Sequence, residues 1–212
     1  MLTVLGCLMS DAGKAIKAEM LNALHEHKIL CIPQDPPGRL FEYPAIKYTA
    51  KLSVDTNMPV LYIHTKGAGN RVPWYLFAKL PNRAIVDDMP SGAKPEDWQA
   101  TVRKFWYHEY TGHRLNTYLN ALDSSSPCVV CPFTGTDKST WQNAFIINPL
   151  AGNEILAHLK LTDNRDYYEH IFESMDKVTV KGIIYDDISR PLDDRVYKMH
   201  QYIWKYWSPN QT

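Results

Sequence analysis

The 212-residue sequence predicts a single α/β domain with a mainly parallel central sheet flanked by helices. Three observations carry that prediction. Over residues 2–66, strand-like apolar runs alternate with helical patterns in the order strand, helix, strand, helix, strand. That alternation is the signature of right-handed parallel crossovers. The length suits one domain with a sizeable core. The composition, 45% hydrophobic and 22% charged, is that of a globular chain rather than a disordered one.

Residues 2–9 read as a first buried strand, and Ser10 or Asp11 caps a helix expected to reach about His27. Ile16, Met20, Leu21 and Leu24 fall at helical spacing on it. Residues 28–32 form a second strand stopped by Pro33, and residues 34–39 carry strong turn chemistry. A helix over residues 41–53, with Pro44 tolerated in its first turn, leads to residues 59–66. That run, Pro-Val-Leu-Tyr-Ile-His-Thr-Lys, reads as a buried parallel strand. Residues 68–95 are rich in breakers, as binding loops and lids are. A helix follows from residue 95 towards Tyr110, and a second over residues 114–122 beyond Gly112. Strands are expected at residues 128–133, 141–148 and 178–185, and helices at residues 150–159, 165–175 and 192–207.

Lys plus Arg and Asp plus Glu number 23 each, so no global field draws nucleic acid or an anionic membrane. No apolar run approaches the ~18 residues of a spanning helix, and the apolar start lacks a basic leader, so a cytoplasmic protein is expected. Cys7 and Cys31 fall in apolar runs as buried thiols. Cys128 and Cys131 have CxxC spacing without a second pair, on a strand that turns i and i+3 to opposite faces.

The chemistry-bearing residues form few motifs. His108-Glu-Tyr-Thr-Gly-His113 does not make a zinc-protease helix, because an i+5 spacing sets the two imidazoles about 140° apart. Glu109 stands among aromatics, a setting that suits a general base, although a surface glutamate explains it equally well. His25 and His27 are read as a solvated helix end. The acidic pairs Asp87-Asp88, in the irregular loop beside Pro90, and Asp186-Asp187, at a strand end, suit a divalent ion, and helix capping by Asp187 or Ser189 explains the second pair equally well. No dinucleotide fingerprint, phosphate loop or serine nucleophile motif is present. In an open α/β sheet, ligands bind beyond the carboxyl ends of the strands. That rule sets His64, Thr65 and Lys66 on a pocket rim, with Gly67 allowing a sharp turn.

Four segments, in order, carry a family resemblance: Phe41-Glu-Tyr-Pro-Ala-Ile, Val60-Leu-Tyr-Ile-His-Thr-Lys-Gly67, Trp98 to Arg103, and Trp141-Gln-Asn-Ala-Phe-Ile-Ile-Asn148. Together they resemble bacterial glycosyltransferase-like proteins of the nucleotide-diphospho-sugar (GT-A-like) type, as found in polysaccharide biosynthesis. The resemblance implies a GT-A-like fold over residues 1–212 that binds a nucleotide-sugar donor and a carbohydrate acceptor. It places His64 and Lys66 where related enzymes carry the metal-holding Asp-x-Asp. A cationic tip neutralises a leaving diphosphate directly, so no metal cofactor is favoured. Arg103 is expected to add a phosphate contact, Asp11 to touch the nucleotide (or simply to cap its helix), and Gln142 and Asn143 to approach the donor sugar or acceptor. Glu109 is the first choice of base and His108 the second. A protein partner that completes the acceptor side fits the short chain. The competing reading is a catalytically silent relative that binds a nucleotide, glycan or protein in the same cleft.

Overall fold

The computed structural model describes residues 1–34, 42–65, 89–94, 97–135, 138, 140, 144–162, 166–185 and 200–207. Its elements are β1 (Leu2–Leu8), α1 (Asp11–Ala23), β2 (Lys28–Gln34), α2 (Tyr43–Thr56), β3 (Val60–His64), α3 (Asp97–Glu109), α4 (Gly112–Ala121), β4 (Cys128–Phe133), β5 (Phe145–Ile147), α5 (Pro149–His158), α6 (Asp166–Glu169) and β6 (Thr179–Tyr185). Residues 200–204 are helical as well.

The six strands form one sheet in the order β2-β1-β3-β5-β4-β6. β1 pairs in parallel with both β2 and β3, β4 pairs in parallel with β6, and β5 runs antiparallel between β3 and β4. The fold is therefore α/β around a mixed, mostly parallel sheet. β5 covers three residues of the run expected over residues 141–148, ending where Asn148 becomes the cap of α5, while residues 141–143 lie outside the described residues. β2 runs through Pro33 instead of stopping there. It is an edge strand, where a missing N–H breaks no ladder on the open side.

Alternation along the strands supplies two cores. Leu5, Leu61, Ile63, Cys128, Val130 and Ile146 face α1, α3 and residues 203–204. Val4, Val60, Tyr62, Val129, Cys131 and Phe145 face α2, α5 and the α6 region. Cys128 and Cys131 thus lie on opposite faces, both as reduced thiols, as the strand period requires. On the second face the two helices cross closely at Gly152, where a Cβ would come 2.9 Å from the Ala50 carbonyl oxygen.

Local chemistry explains the helix ends. Ser10, rather than Asp11, caps α1 through its Oγ, which accepts from Gly13 N at 3.1 Å. α2 ends on Asn57 in the left-handed conformation, with φ 51°. The α1 boundary corrects one expectation. The helix stops at Ala23, and His27 turns inward, with Nδ1 2.7 Å from Thr3 Oγ1 and 8% exposure. His27 is a buried joint between β1 and the entry to β2, not a solvated helix end. The segment expected as one helix over residues 165–175 is helical only in α6 and continues as turns.

Candidate functional site

The connections define a switch point. From β1 the chain crosses through α1 to β2 on one side, then through α2 to β3 on the other. Neighbouring carboxyl ends served by crossovers of opposite direction leave a crevice between them, and here those ends belong to β1 and β3.

β1 delivers Leu8 and the half-exposed Met9 to that crevice. α1 begins hard against it, since a Cβ on Gly13 would collide with the Leu8 carbonyl oxygen. Asp11 reaches outward, its carboxylate 99% exposed and 3.1 Å from Lys14 Nζ. Thr65 ties the two strand ends together. Its N–H donates to Gly6 O at 2.9 Å, and its Oγ1 accepts from Leu8 N at 3.0 Å.

His64 is the last residue of β3 and is 7% exposed. The Trp106 ring stands edge-on to it, with centroids 5.6 Å apart. On another side lies Glu42, the cap residue of α2, whose Oε1 is 3.9 Å from His64 Nδ1. Glu42 Oε2 accepts from the Tyr62 hydroxyl at 3.1 Å. Sequence reasoning missed Glu42 as a site residue. The available signal was positional: a helix that follows a parallel strand begins at the same sheet edge where the strands end.

α3 sends its candidate residues elsewhere. Successive residues turn about 100° around a helix, so with Trp106 towards His64, His108 points about 160° away. Arg103 forms a bidentate pair with Glu19 of α1, Nε to Oε1 and Nη2 to Oε2, each at 3.1 Å. Tyr107 donates to the same Glu19 Oε1 at 2.8 Å. The Arg103 guanidinium joins α3 to α1.

Glu109 has no exposed surface. Its Oε2 accepts from Arg114 Nη2 at 2.7 Å, from Arg114 Nε at 3.2 Å and from the Tyr118 hydroxyl at 2.8 Å. Its Oε1 accepts from Tyr206 at 3.3 Å and lies 3.2 Å from His108 Nδ1. Burial pushes the Tyr118 and Tyr206 phenols upward, so both stay protonated as donors. A sealed carboxylate with this many donors joins α3, α4 and the closing helix. It has no surface open to a ligand. His108 is 51% exposed and rests against the Tyr206 ring at 5.1 Å.

His108 and His113 lie on different helices, separated by Gly112 at φ 52°. Among the described residues no group of three or more His, Cys, Asp or Glu could hold a metal ion. Lys66, Gln142, Asn143, residues 68–88 and 95 of the loop expected over residues 68–95 (Asp87 and Asp88 among them), Asp186 and Asp187 lie outside the described residues. Among the described residues no helix is long and apolar enough to cross a membrane. No protein-family model, curated protein or solved structure matches the chain.

Proposed function

We propose that the chain is a GT-A-like glycosyltransferase that moves a sugar from a nucleotide-sugar donor to a hydroxyl acceptor. The donor diphosphate sits beyond the carboxyl ends of β1 and β3. The observation that carries this reading is the switch point between those strands, where β3 ends in His64 and Thr65. The tip has histidine and lysine in its sequence where a metal-dependent relative would have two carboxylates. A cationic tip offsets the charge that develops on a leaving diphosphate.

In the transfer, the acceptor oxygen bonds to the anomeric carbon. The bond from that carbon to the diphosphate oxygen breaks, and its electron pair leaves with the diphosphate. The acceptor proton passes to a base. Glu109 is sealed and His108 faces the other side of α3, so the base is expected from a different segment or from a partner on the acceptor side.

The test is thermal unfolding with UDP-, GDP-, CMP- and dTDP-sugars, each with Mn²⁺ and with EDTA. A ligand well above its dissociation constant raises the midpoint by mass action. The expected result is a rise with one nucleotide class that EDTA leaves in place. No rise with any of them sinks the donor site, and a rise that EDTA abolishes sinks its metal-free form. Binding without turnover on any hydroxyl acceptor would favour the silent-relative reading.

A further inference from the structure

On the side of α3 turned away from His64, the Glu109 network ends at a solvent-facing ring. His108 is 51% exposed, yet its Nδ1 lies 3.2 Å from Oε1 of the fully buried Glu109. The Tyr206 hydroxyl closes a triangle with the two, 3.3 Å from the same carboxylate oxygen and 3.2 Å from Nδ1. Arg114 and Tyr118 hold the other carboxylate oxygen, so Glu109 cannot swing away from the ring. Nε2 of His108 makes no hydrogen bond among the described residues.

The triangle fixes where the ring proton sits. A carboxylate only accepts, and burial keeps the Tyr206 phenol protonated, so its hydroxyl donates to Glu109 Oε1. Nδ1 must donate as well, because a lone pair there would face the carboxylate at 3.2 Å. The neutral ring therefore carries its proton on Nδ1 and its lone pair on Nε2. With Cβ and Nδ1 held against the protein, the exposed half of the ring is the edge that carries Nε2. A fixed carboxylate behind one nitrogen and solvent before the other suits an imidazole to act as a nucleophile. The other exposed histidines are backed differently. His25 and His158 turn Nδ1 to main-chain carbonyls at 3.2 and 2.9 Å, with the Glu154 carboxylate 3.6 Å from His158. His113 lies exposed on α4.

We propose that His108 is a phosphoryl-acceptor site, positioned by Glu109, whose Nε2 takes the phosphoryl group of a small acyl phosphate. The Nε2 lone pair bonds to phosphorus. The bond from phosphorus to the acyl oxygen breaks, and its electron pair leaves with the carboxylate product. Nδ1 keeps its proton, so the ring becomes cationic and lies against the Glu109 carboxylate, which offsets that charge. Phosphoryl transfer asks little else of its surroundings, since its transition state is loose and water can solvate the three outer oxygens. The site is separate from the strand-end crevice and stands whether or not the donor reading holds.

The experiment incubates the full chain with acetyl phosphate and follows each histidine by peptide mass spectrometry at alkaline pH, where a phosphorus–nitrogen bond persists. The mass and acid lability of the product distinguish it from an acetylated lysine. His108 should be modified faster than His25, His113 or His158, and His108→Asn should remove that fast phase. Ring-nitrogen NMR should find the neutral His108 ring protonated on Nδ1. In Glu109→Gln the amide donates to Nδ1 and the proton moves to Nε2. Modification of His108 then slows about ten- to hundredfold, the range that a hydrogen bond to a charged group carries. Tyr206→Phe leaves the carboxylate in place and keeps both the tautomer and most of the rate. A parent ring protonated on Nε2, or a His108 modified no faster than the other exposed histidines, overturns the site. An unchanged rate in Glu109→Gln overturns the positioning role. If that variant does not fold, the parent tautomer and the comparison of rings within one folded chain still decide the proposal.

Discussion

Glu109→Gln separates a structural carboxylate from a catalytic one. Glutamine keeps one acceptor oxygen, and with that oxygen towards Arg114 and Tyr118 its amide meets Tyr206 and His108, both of which can accept. The shape is preserved and the charge is lost. Hydrogen bonds to a charged group contribute about 1.5–3 kcal/mol, and Arg114 is 28% exposed, so water recovers part of its share. A cost of about 2–3 kcal/mol follows for the amide. Glu109→Ala leaves the Tyr118 hydroxyl buried without its acceptor and the guanidinium without its partner, at about 3–5 kcal/mol. For a chain of this size roughly 2–4 °C accompanies each kcal/mol, so the amide lowers Tm by roughly 4–12 °C. Circular-dichroism melts check this. The triple variant Glu109→Leu, Arg114→Met and Tyr118→Phe should recover most of the loss, because it replaces the ionic pair and also removes the hydroxyl that would lose its acceptor. The reasoning fails if Glu109→Gln melts with the parent while transferase turnover disappears, since that is how a base behaves.

Three further outcomes follow from the geometry. Asn148 accepts from Ala151 N at 2.8 Å and Cys128 N at 3.2 Å and donates to Asp123 O at 2.6 Å and Ser126 O at 2.7 Å. Asn148→Ala removes a cap and strands buried groups, for roughly 3–4 kcal/mol in urea melts, and Asn148→Asp does not rescue it because the carboxylate meets two carbonyls. Gly13→Ala drives a Cβ into the backbone carbonyl of Leu8. It costs about 3 kcal/mol, against about 1 kcal/mol for Gly112→Ala, where space is open and only the positive φ resists. Burial pushes the His200 imidazole down to about 4, so the unfolded chain binds its proton first. Stability present at neutral pH is therefore lost as pH falls from about 6.5 towards 4, and His200→Phe should flatten that limb of a Tm-against-pH curve.

Much of the first half of the fold was legible because its signals are local. The apolar runs of β1 and β3, the Ser10 cap and the prolines in the first turns of α2 and α5 each act within a few residues, and each marks an element boundary. The CxxC pair was legible for the same reason, since a strand's period alone sends its two thiols to opposite faces. Local reasoning also reached His64 and Thr65, because the end of a parallel strand can be read from the run that precedes it.

The direction of β5 was not legible. Three residues carry no mark of which way they run, and pairing with β3 and β4, distant in sequence, decided it. His27 looked solvated until the helix ended early and turned its ring onto Thr3. Glu109 could be read as a base or as a surface glutamate until Arg114 and Tyr118 of α4 and Tyr206, in the turn after residues 200–204, converged on it, and the partner of Arg103 was set only when α1 brought Glu19 beside it.

The sequence alone determined an α/β order and a polar tip on a buried strand, because periodicity and capping are properties of neighbours along the chain. Only the tertiary structure decided which carboxylate lies beside that tip. Glu42 and Glu109 are alike as residues. One begins a crossover helix at the edge where the strands end, and the other lies where three helices meet. Burial and partners, both set by contacts between segments remote in sequence, separate the two.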